Sequence, residues 1–339
     1  MHVGRYNPHI VVNRFHRLPF ISLAVWLYAA SALALWLLIR FLVDRAWPAT
    51  LIAFGPRWLA LLPALPLVIV VLASAPRTAA YRLLAVLTTT TALLLVGVMD
   101  FRLDVAQSSV PADLRIMTHN VGESAVTADS LDELMRSEQI DVAVLQECPF
   151  YDLAPARRGW HFYYAGDLCL VSRFPFTVLA GADQSKPWRA GGRNPMLFAI
   201  HAPGREFQLL IVHFQTIRGG LDGPDRWGGA RNLRVNRDDS ARESGAARAM
   251  IREAAPLVVA GDFNLPVESA IYAADWRHLT NAFSRCGRGF GYTKFTSLYG
   301  IRIDHVLTSA HFDCTRARVL RSPYGGDHQP LVVDLRYSR

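Results

Sequence analysis

The stretch LVVAGDFN at residues 257–264 runs an apolar segment into Gly261, then an acid, an aromatic and an amide. A short apolar run closed by a glycine is what a fully buried strand looks like. Asp262 and Asn264 stand two apart around Phe263. In extended chain that spacing turns both polar side chains to the same side. The pattern recurs on either side of this stretch. LRIMTHN ends on Asn120, DVAVLQE ends on Glu147, QLLIVHF carries His213, and IRIDHVL carries Asp304. A further island, GDHQP at 326–330, sets Asp327 and His328 between glycine and proline, a turn composition. Carboxylates, amides and imidazoles placed at strand ends converge on one sheet edge. Such a set holds a hard divalent cation through oxygen and acts on phosphoryl groups.

In this order THN, QE, a lone strand histidine, GDFN, ID and DHQP resemble the motif series of the endonuclease/exonuclease/phosphatase superfamily. That group includes DNase-like and abasic-site nucleases, sphingomyelinases and inositol polyphosphate phosphatases. The resemblance spans roughly 112–339. It implies a four-layer α/β sandwich, two mixed β-sheets packed face to face with helices outside. It also implies Mg²⁺, or Mn²⁺ in its place, at Asn120, Glu147 and Asp327. Asp262 is cast as the group that orients or deprotonates the attacking water. Asn264 and His213 are cast as contacts to phosphate oxygen, His328 as a contact to the scissile phosphate or as the base, and Asp304 as the carboxylate that orients His328. Whether Asp262 or His328 takes the proton stays open. Plainer readings stand beside these roles: an ion pair for Glu147, a turn cap for Asn120, an Asx turn for the DFN segment, a core histidine for His213. Arg173 fits either a family segment or a bridge to a buried carboxylate. His119 and His305 alternate to the opposite strand face and read as structural.

The first hundred residues have a different composition. Residues 20–43, 56–74 and 82–100 are apolar stretches that each approach the roughly 20 residues needed to cross a bilayer. The first is too long for a signal-peptide core, and two more follow it. Their few charges give no polar face of the kind a soluble core helix needs. The expected organisation is a membrane region with three transmembrane helices over 1–104 and a catalytic domain over 105–339. Arg5, Arg14 and Arg17, without an acid among them, place the N-terminus in the cytoplasm, and Arg77 and Arg82 act likewise in the loop before span three. The catalytic domain of this multi-pass cell-membrane protein then lies outside the cytoplasm. Arg57, near the start of span two, reads as snorkelling to the interface.

A net charge of +8 and a pI near 9.6 suit an anionic phosphate-containing substrate or the anionic surface of a lipid bilayer. The loops at 184–195 and 215–234 are rich in Arg, Gly and Trp. They read either as solvated surface or as a substrate clamp in which Arg218, Arg226, Arg231 and Arg234 face phosphate and Trp188 and Trp227 an apolar partner. Cys148, Cys169, Cys286 and Cys314 lack metal-site spacing, which argues against structural zinc. Cys286 and Cys314 flank the strand of Asp304 and are placed to pair, and four buried thiols is the equal alternative. Helices are expected at 126–140, 236–254 and 266–276, and a hairpin at Pro203-Gly204. The leading function is a membrane-anchored Mg²⁺-dependent hydrolase of a phosphoester or pyrophosphate, with a lipid headgroup as substrate. The alternatives are an extracytoplasmic nuclease or phosphodiesterase acting on nucleic acid, and a catalytically inactive membrane-tethered binding module.

Overall fold

A computed structural model describes residues 8–103, 111–122, 124–148, 159–181, 195–217, 229–252, 254–321 and 325–338. Its strands run, in chain order, β1 Leu114–Asn120, β2 Val142–Gln146, β3 His161–Ala165, β4 Leu168–Ser172, β5 Phe176–Gly181, β6 Met196–Ala202 and β7 Arg205–His213. They continue as β8 Leu257–Asp262, β9 Thr280–Asn281, β10 Lys294–Phe295, β11 Gly300–Ile301, β12 Asp304–Thr308, β13 Phe312–Val319 and β14 Leu331–Tyr337. One six-stranded sheet has the order β13-β14-β1-β2-β4-β3, a second has the order β5-β6-β7-β8-β12-β9, and β10 and β11 pair in a two-stranded sheet. Both six-stranded sheets are mixed, because β1–β2 and β7–β8 are parallel while their neighbours are antiparallel. Pro175 ends the excursion from β4, and the chain changes sheets there. The hairpin at Pro203-Gly204 forms between β6 and β7.

The two-residue period of the strands sorts their side chains into layers. Ile116, Val144, Leu170 and Val333 from the first sheet meet Phe198, Leu209, Ile211, Val258, Ala260 and Val306 from the second in one core. The alternate residues Met117, Ala143, Leu145 and Val171 pack outward with Leu131 and Met135 of the helix Ala128–Ser137. Leu210, Val212, Val259 and Leu307 pack outward beneath Ala247, Tyr272 and Trp276. The result is a helix–sheet–sheet–helix sandwich. Each buried aliphatic side chain contributes about 1.5–3 kcal/mol relative to exposure, so register is strongly specified. A slip of one residue would exchange the inner and outer faces.

Two helices depart from expectation. The one expected at 236–254 spans Gly229–Ala249. Its buried side includes Asn236, Ser240, Glu243 and Ser244 as well as Ala247, so apolar periodicity does not report it. The helix expected at 266–276 is only Ala270–Asp275, started by Ser269, whose hydroxyl accepts from Tyr272 N–H.

The N-terminal region holds apolar helices as expected. Leu18–Leu42, Arg57–Ser74 and Arg77–Val98 are each long and apolar enough to cross a membrane. The second is interrupted: a 3₁₀ segment Arg57–Leu61 gives way at Leu62-Pro63 to the helix Ala64–Ser74. Pro63 supplies no N–H to continue the ladder. The third starts at Arg77, directly after Pro76, and not near residue 82. Arg77 and Arg82 therefore ride its first turns, and only Ala75-Pro76 separates it from its predecessor. A short unforeseen helix, Trp47–Ala53, follows the first long apolar helix.

Candidate active site

The inner-face parity that builds the core continues into the site. Val258, Ala260 and Asp262 share one face of β8, Leu209, Ile211 and His213 one face of β7, and Ile116, Thr118 and Asn120 one face of β1. His213 stands opposite Asp262 in the β7–β8 ladder, and Asp304 opposite Asp262 in the β8–β12 ladder. Thr118 and Gln146 bond across β1 and β2, and Glu147 follows as β2 ends. All of these polar groups emerge at one end of the cleft between the sheets.

Two glycines make the approach geometry attainable. A Cβ on Gly261 would sit 1.9 Å from the Val212 carbonyl oxygen, so only glycine lets β8 lie this close to β7. A Cβ on Gly122 would sit 2.2 Å from Oε2 of Glu147, so the missing side chain is the space the carboxylate occupies. Glu147 and Asn264 themselves adopt left-handed backbone, with φ of 53° and 49°. Such strain in non-glycine residues concentrates at functional sites.

Two carboxylate–imidazole pairs flank Asp262. Nδ1 of His328 lies 2.9 Å from Oδ2 of Asp304, and its Nε2 lies 3.7 Å from Oδ2 of Asp262. Nδ1 of His213 lies 2.8 Å from Oδ2 of Asp167, and its Nε2 points between Glu147 (3.8 Å) and Asp262 (3.9 Å). Burial alone would lower both histidines. The carboxylates outweigh it, raising His213 and holding His328 up to about 9. Burial and the neighbouring Asp304 raise Asp262 above the usual carboxylate range. Burial acts on Asp304 in the same direction, but the His328 imidazole overrides it and holds Asp304 low. Two adjacent buried carboxyls are thus driven apart: Asp304 stays ionised, and Asp262 has the higher proton affinity expected of a base.

Asn120 takes an unexpected pose. Its Nδ2 donates to Oε1 of Glu147 (3.0 Å) and Oδ2 of Asp262 (3.1 Å), while its oxygen accepts from Gly122 N–H. The amide hydrogens, not the oxygen, face the carboxylates. Offering the oxygen to a cation requires the amide to turn over and give up the Gly122 bond. Asp262 also accepts from the N–H of Asn264 (2.8 Å), whose own amide donates to the Phe214 carbonyl (2.9 Å). Asp327, expected to ligate metal, is paired with Lys294 Nζ at 2.6 Å. Lys294 Nζ is also 2.9 Å from Nε2 of His328, where its charge opposes the carboxylates that raise this imidazole.

The donor chemistry fits a hard divalent cation. Ligand atoms of Asp262, Asp304 and His328 all lie within 4.8 Å of one another, each residue buried. Glu147 joins Asp262 through the Asn120 amide. This oxygen-rich, acidic set suits an ion such as Mg²⁺ or Mn²⁺. Cysteine ligation is closed off, since Cys148 pairs with Cys169 and Cys286 with Cys314. The first bridge ties the residue after Glu147 to β4.

Several sequence-derived residues sit elsewhere. Arg231 is exposed on the helix Gly229–Ala249, and Arg218, Arg226, Trp188 and Trp227 lie outside the described residues. Arg173 bonds Asp141 (3.1 Å). His305 contacts the Leu265 carbonyl (2.8 Å), and burial pushes both it and His119 down to about 4. Both are neutral supports. Residues the sequence reading missed are Asp167, in the β3–β4 turn, Lys294, in a two-residue strand, and Glu243. The Glu243 carboxylate accepts the Gln215 N–H (2.6 Å) just behind His213.

No curated protein sequence matches the chain. Among solved structures, an endonuclease/exonuclease/phosphatase from Beutenbergia cavernae DSM 12333 is 20% identical, covering 67% of this chain and 72% of its own, with a TM-score of 0.48. The 3′-5′ exonuclease NExo from Neisseria meningitidis is 20% identical over 66% of this chain and 100% of its own, TM-score 0.47. The mannosyl-6-phosphatase Bt3783 from Bacteroides thetaiotaomicron VPI-5482 is 18% identical over 66% and 100%, TM-score 0.45. The model of the endonuclease/exonuclease/phosphatase family matches residues 117–328, the span that carries Asn120 through His328, and the chain belongs to that family.

Proposed function

We propose that the protein is a membrane-held, Mg²⁺- or Mn²⁺-dependent hydrolase of phosphoester or pyrophosphate bonds, with its site outside the cytoplasm and a phosphate-bearing lipid as substrate. The observation that carries the membrane part is the seam between the two regions. Arg57 pairs with Glu268 at 2.6 Å, Trp58 Nε1 donates to the Leu298 carbonyl at 3.2 Å, and Asp44 accepts from Ser269 Oγ. Arg57 is thus a bridge to the catalytic domain and does not snorkel. The segment between the first two apolar helices, through Asp44, and the exit of the third, where Asp100 pairs with Arg302, both meet that domain, as an odd number of crossings requires. Arginine bias at the other ends supports a cytoplasmic N-terminus, and the disulfides suit an oxidising compartment.

Asp262 is the group best placed to hold the attacking water and take its proton. Asp304 fixes the His328 ring so that Nε2 faces the reacting phosphoryl group. Asn264, His213 and His328 then stabilise charge that grows on phosphoryl oxygens, inside a cleft that excludes bulk water. The Asp304 carboxylate, by favouring the protonated His328 ring, keeps a proton available at Nε2 for the departing oxygen. Glu147, together with Asn120 if its amide turned over, would hold a divalent cation, which would supply charge neutralisation at the phosphoryl oxygens.

A second reading, nucleic acid as substrate, is favoured by one feature. A groove of about 610 Å³ beside Lys294 is lined by Arg288, Arg316 and Arg321 with Phe290, Tyr292 and Phe295. Cations interleaved with rings suit single-stranded backbone and bases. The two readings separate by assaying phosphate release from a polyprenyl diphosphate in detergent and nicking of plasmid DNA with the same Mg²⁺-loaded preparation. Release lost in Asp262→Ala supports the lipid reading. Nicking alone, steeply weakened by salt, moves the assignment to a nuclease.

A further inference from the structure

We infer that the cavity between the segment 44–54 and the catalytic domain is the site for the lipid portion next to the scissile phosphate. The cavity measures about 210 Å³. One wall comes from the segment after the first span, with Arg45, Trp47 and Phe54, and the other from the catalytic domain, with Leu233, Arg234 and Asn264. This assignment rests on the proposed lipid-phosphate hydrolase and names where that enzyme would hold its substrate.

Three observations carry it. The first is continuity with the chemistry. Asn264 lines the cavity, and its backbone N–H bonds Asp262, so a single residue separates the two. A molecule seated here borders Asn264, one of the groups proposed to contact phosphate oxygen.

The second is position relative to the bilayer. The cavity-lining segment begins two residues after the first apolar helix ends at Leu42 and stops before the next begins at Arg57. That places it at a membrane–water boundary. Trp47 and Trp58 are both exposed there, 51% and 37%, as interfacial tryptophans are. A lipid enters from the side while its chains stay in the bilayer.

The third is chemistry. Apolar Trp47, Phe54 and Leu233 share the walls with Arg45 and Arg234. Among the described residues neither arginine has an acidic partner. Arg237, nearby, is already engaged with Asp238 and the Asp44 carbonyl. Guanidinium groups without an acidic partner among the described residues, set beside apolar surface, match an anionic amphiphile. The volume admits the linker next to a phosphate, not whole acyl chains, which are left in the membrane.

The test compares full-length protein with Ala46→Trp, which fills the cavity from the segment side, and Leu233→Trp, which fills it from the opposite wall. Substrates are phosphatidylcholine vesicles doped in turn with a polyprenyl diphosphate and with phosphatidic acid, against soluble aryl phosphomonoester and phosphodiester. The ratio of kcat/KM on lipid to kcat/KM on soluble ester is expected to fall about 10-fold or more in each folded variant. A ratio unchanged within about twofold overturns the inference, because any loss then reflects general damage. Wild-type turnover of the soluble esters with none of the lipids also overturns it, yet leaves a phosphoester hydrolase standing. No metal-dependent turnover of any substrate removes both.

Discussion

His213 and Asp167 sit 46 residues apart in sequence, and their side chains meet at 2.8 Å at the mouth of the cleft. The pair crosses between the sheets, since Asp167 belongs to the β3–β4 turn and His213 ends β7. The bond fixes the ring so that Nε2 faces Glu147 and Asp262. Asp167→Asn is expected to lower kcat by about 10- to 100-fold, the scale seen when a carboxylate orienting an imidazole is removed. The melting temperature should change little, and His213→Ala should show no further loss on adding Asp167→Asn. Additive losses would separate the two residues.

The two glycines at the site predict opposite outcomes. At Gly261 the new Cβ meets backbone, which cannot yield. Gly261→Ala should cost at least the upper end of the ~1–3 kcal/mol typical of overpacking, read as a large drop in melting temperature or loss of folded protein. At Gly122 the Cβ meets the tip of the Glu147 side chain, which can swing away. Gly122→Ala should fold normally and need about 10-fold more Mg²⁺ for half-maximal activity. Equal Mg²⁺ dependence would remove Glu147 from the cation site.

Burial pushes Glu243 up to about 7 from its ordinary 4.5. Between those values the folded protein keeps a proton that the unfolded chain has released. Its contribution therefore falls as pH rises through that window and levels off above about 7. The full effect is on the order of 3 kcal/mol. Glu243→Gln retains an acceptor for the Gln215 N–H and abolishes the titration. The stability of the variant relative to wild type should rise between about pH 5 and pH 8. Parallel stability profiles would show that Glu243 is ionised in the fold.

The cysteines give a chemical check on location. Protein isolated from the membrane without reductant should bind no thiol reagent until reduced and unfolded, because Cys148–Cys169 and Cys286–Cys314 are closed. Four reactive thiols in unfolded, unreduced protein would contradict the assignment outside the cytoplasm.

What was legible in the sequence follows the physics of each element. Asn120, His213, Asp262 and Asp304 end or begin buried strands, so the apolar run before or after each one points to it. The same two-residue period that builds the core brings them together. Asp167 is invisible by that route, since an acid after glycine in a hairpin turn looks like any surface turn. Lys294 lies in a strand of two residues, too short to carry a period. The helix Gly229–Ala249 hides because its buried side is polar. Pairing of Arg57 with Glu268 joins residues 211 apart, a relationship no local pattern encodes. The reversed amide of Asn120 depends on which neighbours surround it, and only the folded site supplies them.

The proposed hydrolysis is metal-dependent and takes place at the cleft of Asp262, Asp304 and His328. The most direct measurement is phosphate release by the purified full-length protein from a polyprenyl diphosphate and a soluble phosphoester, with Mg²⁺ and with chelator. Asp262→Ala and His328→Ala are run alongside. Turnover should vanish with chelator and fall by about three orders of magnitude in each variant. Near-wild-type turnover in a folded Asp262→Ala protein, or turnover indifferent to chelator, would contradict the account.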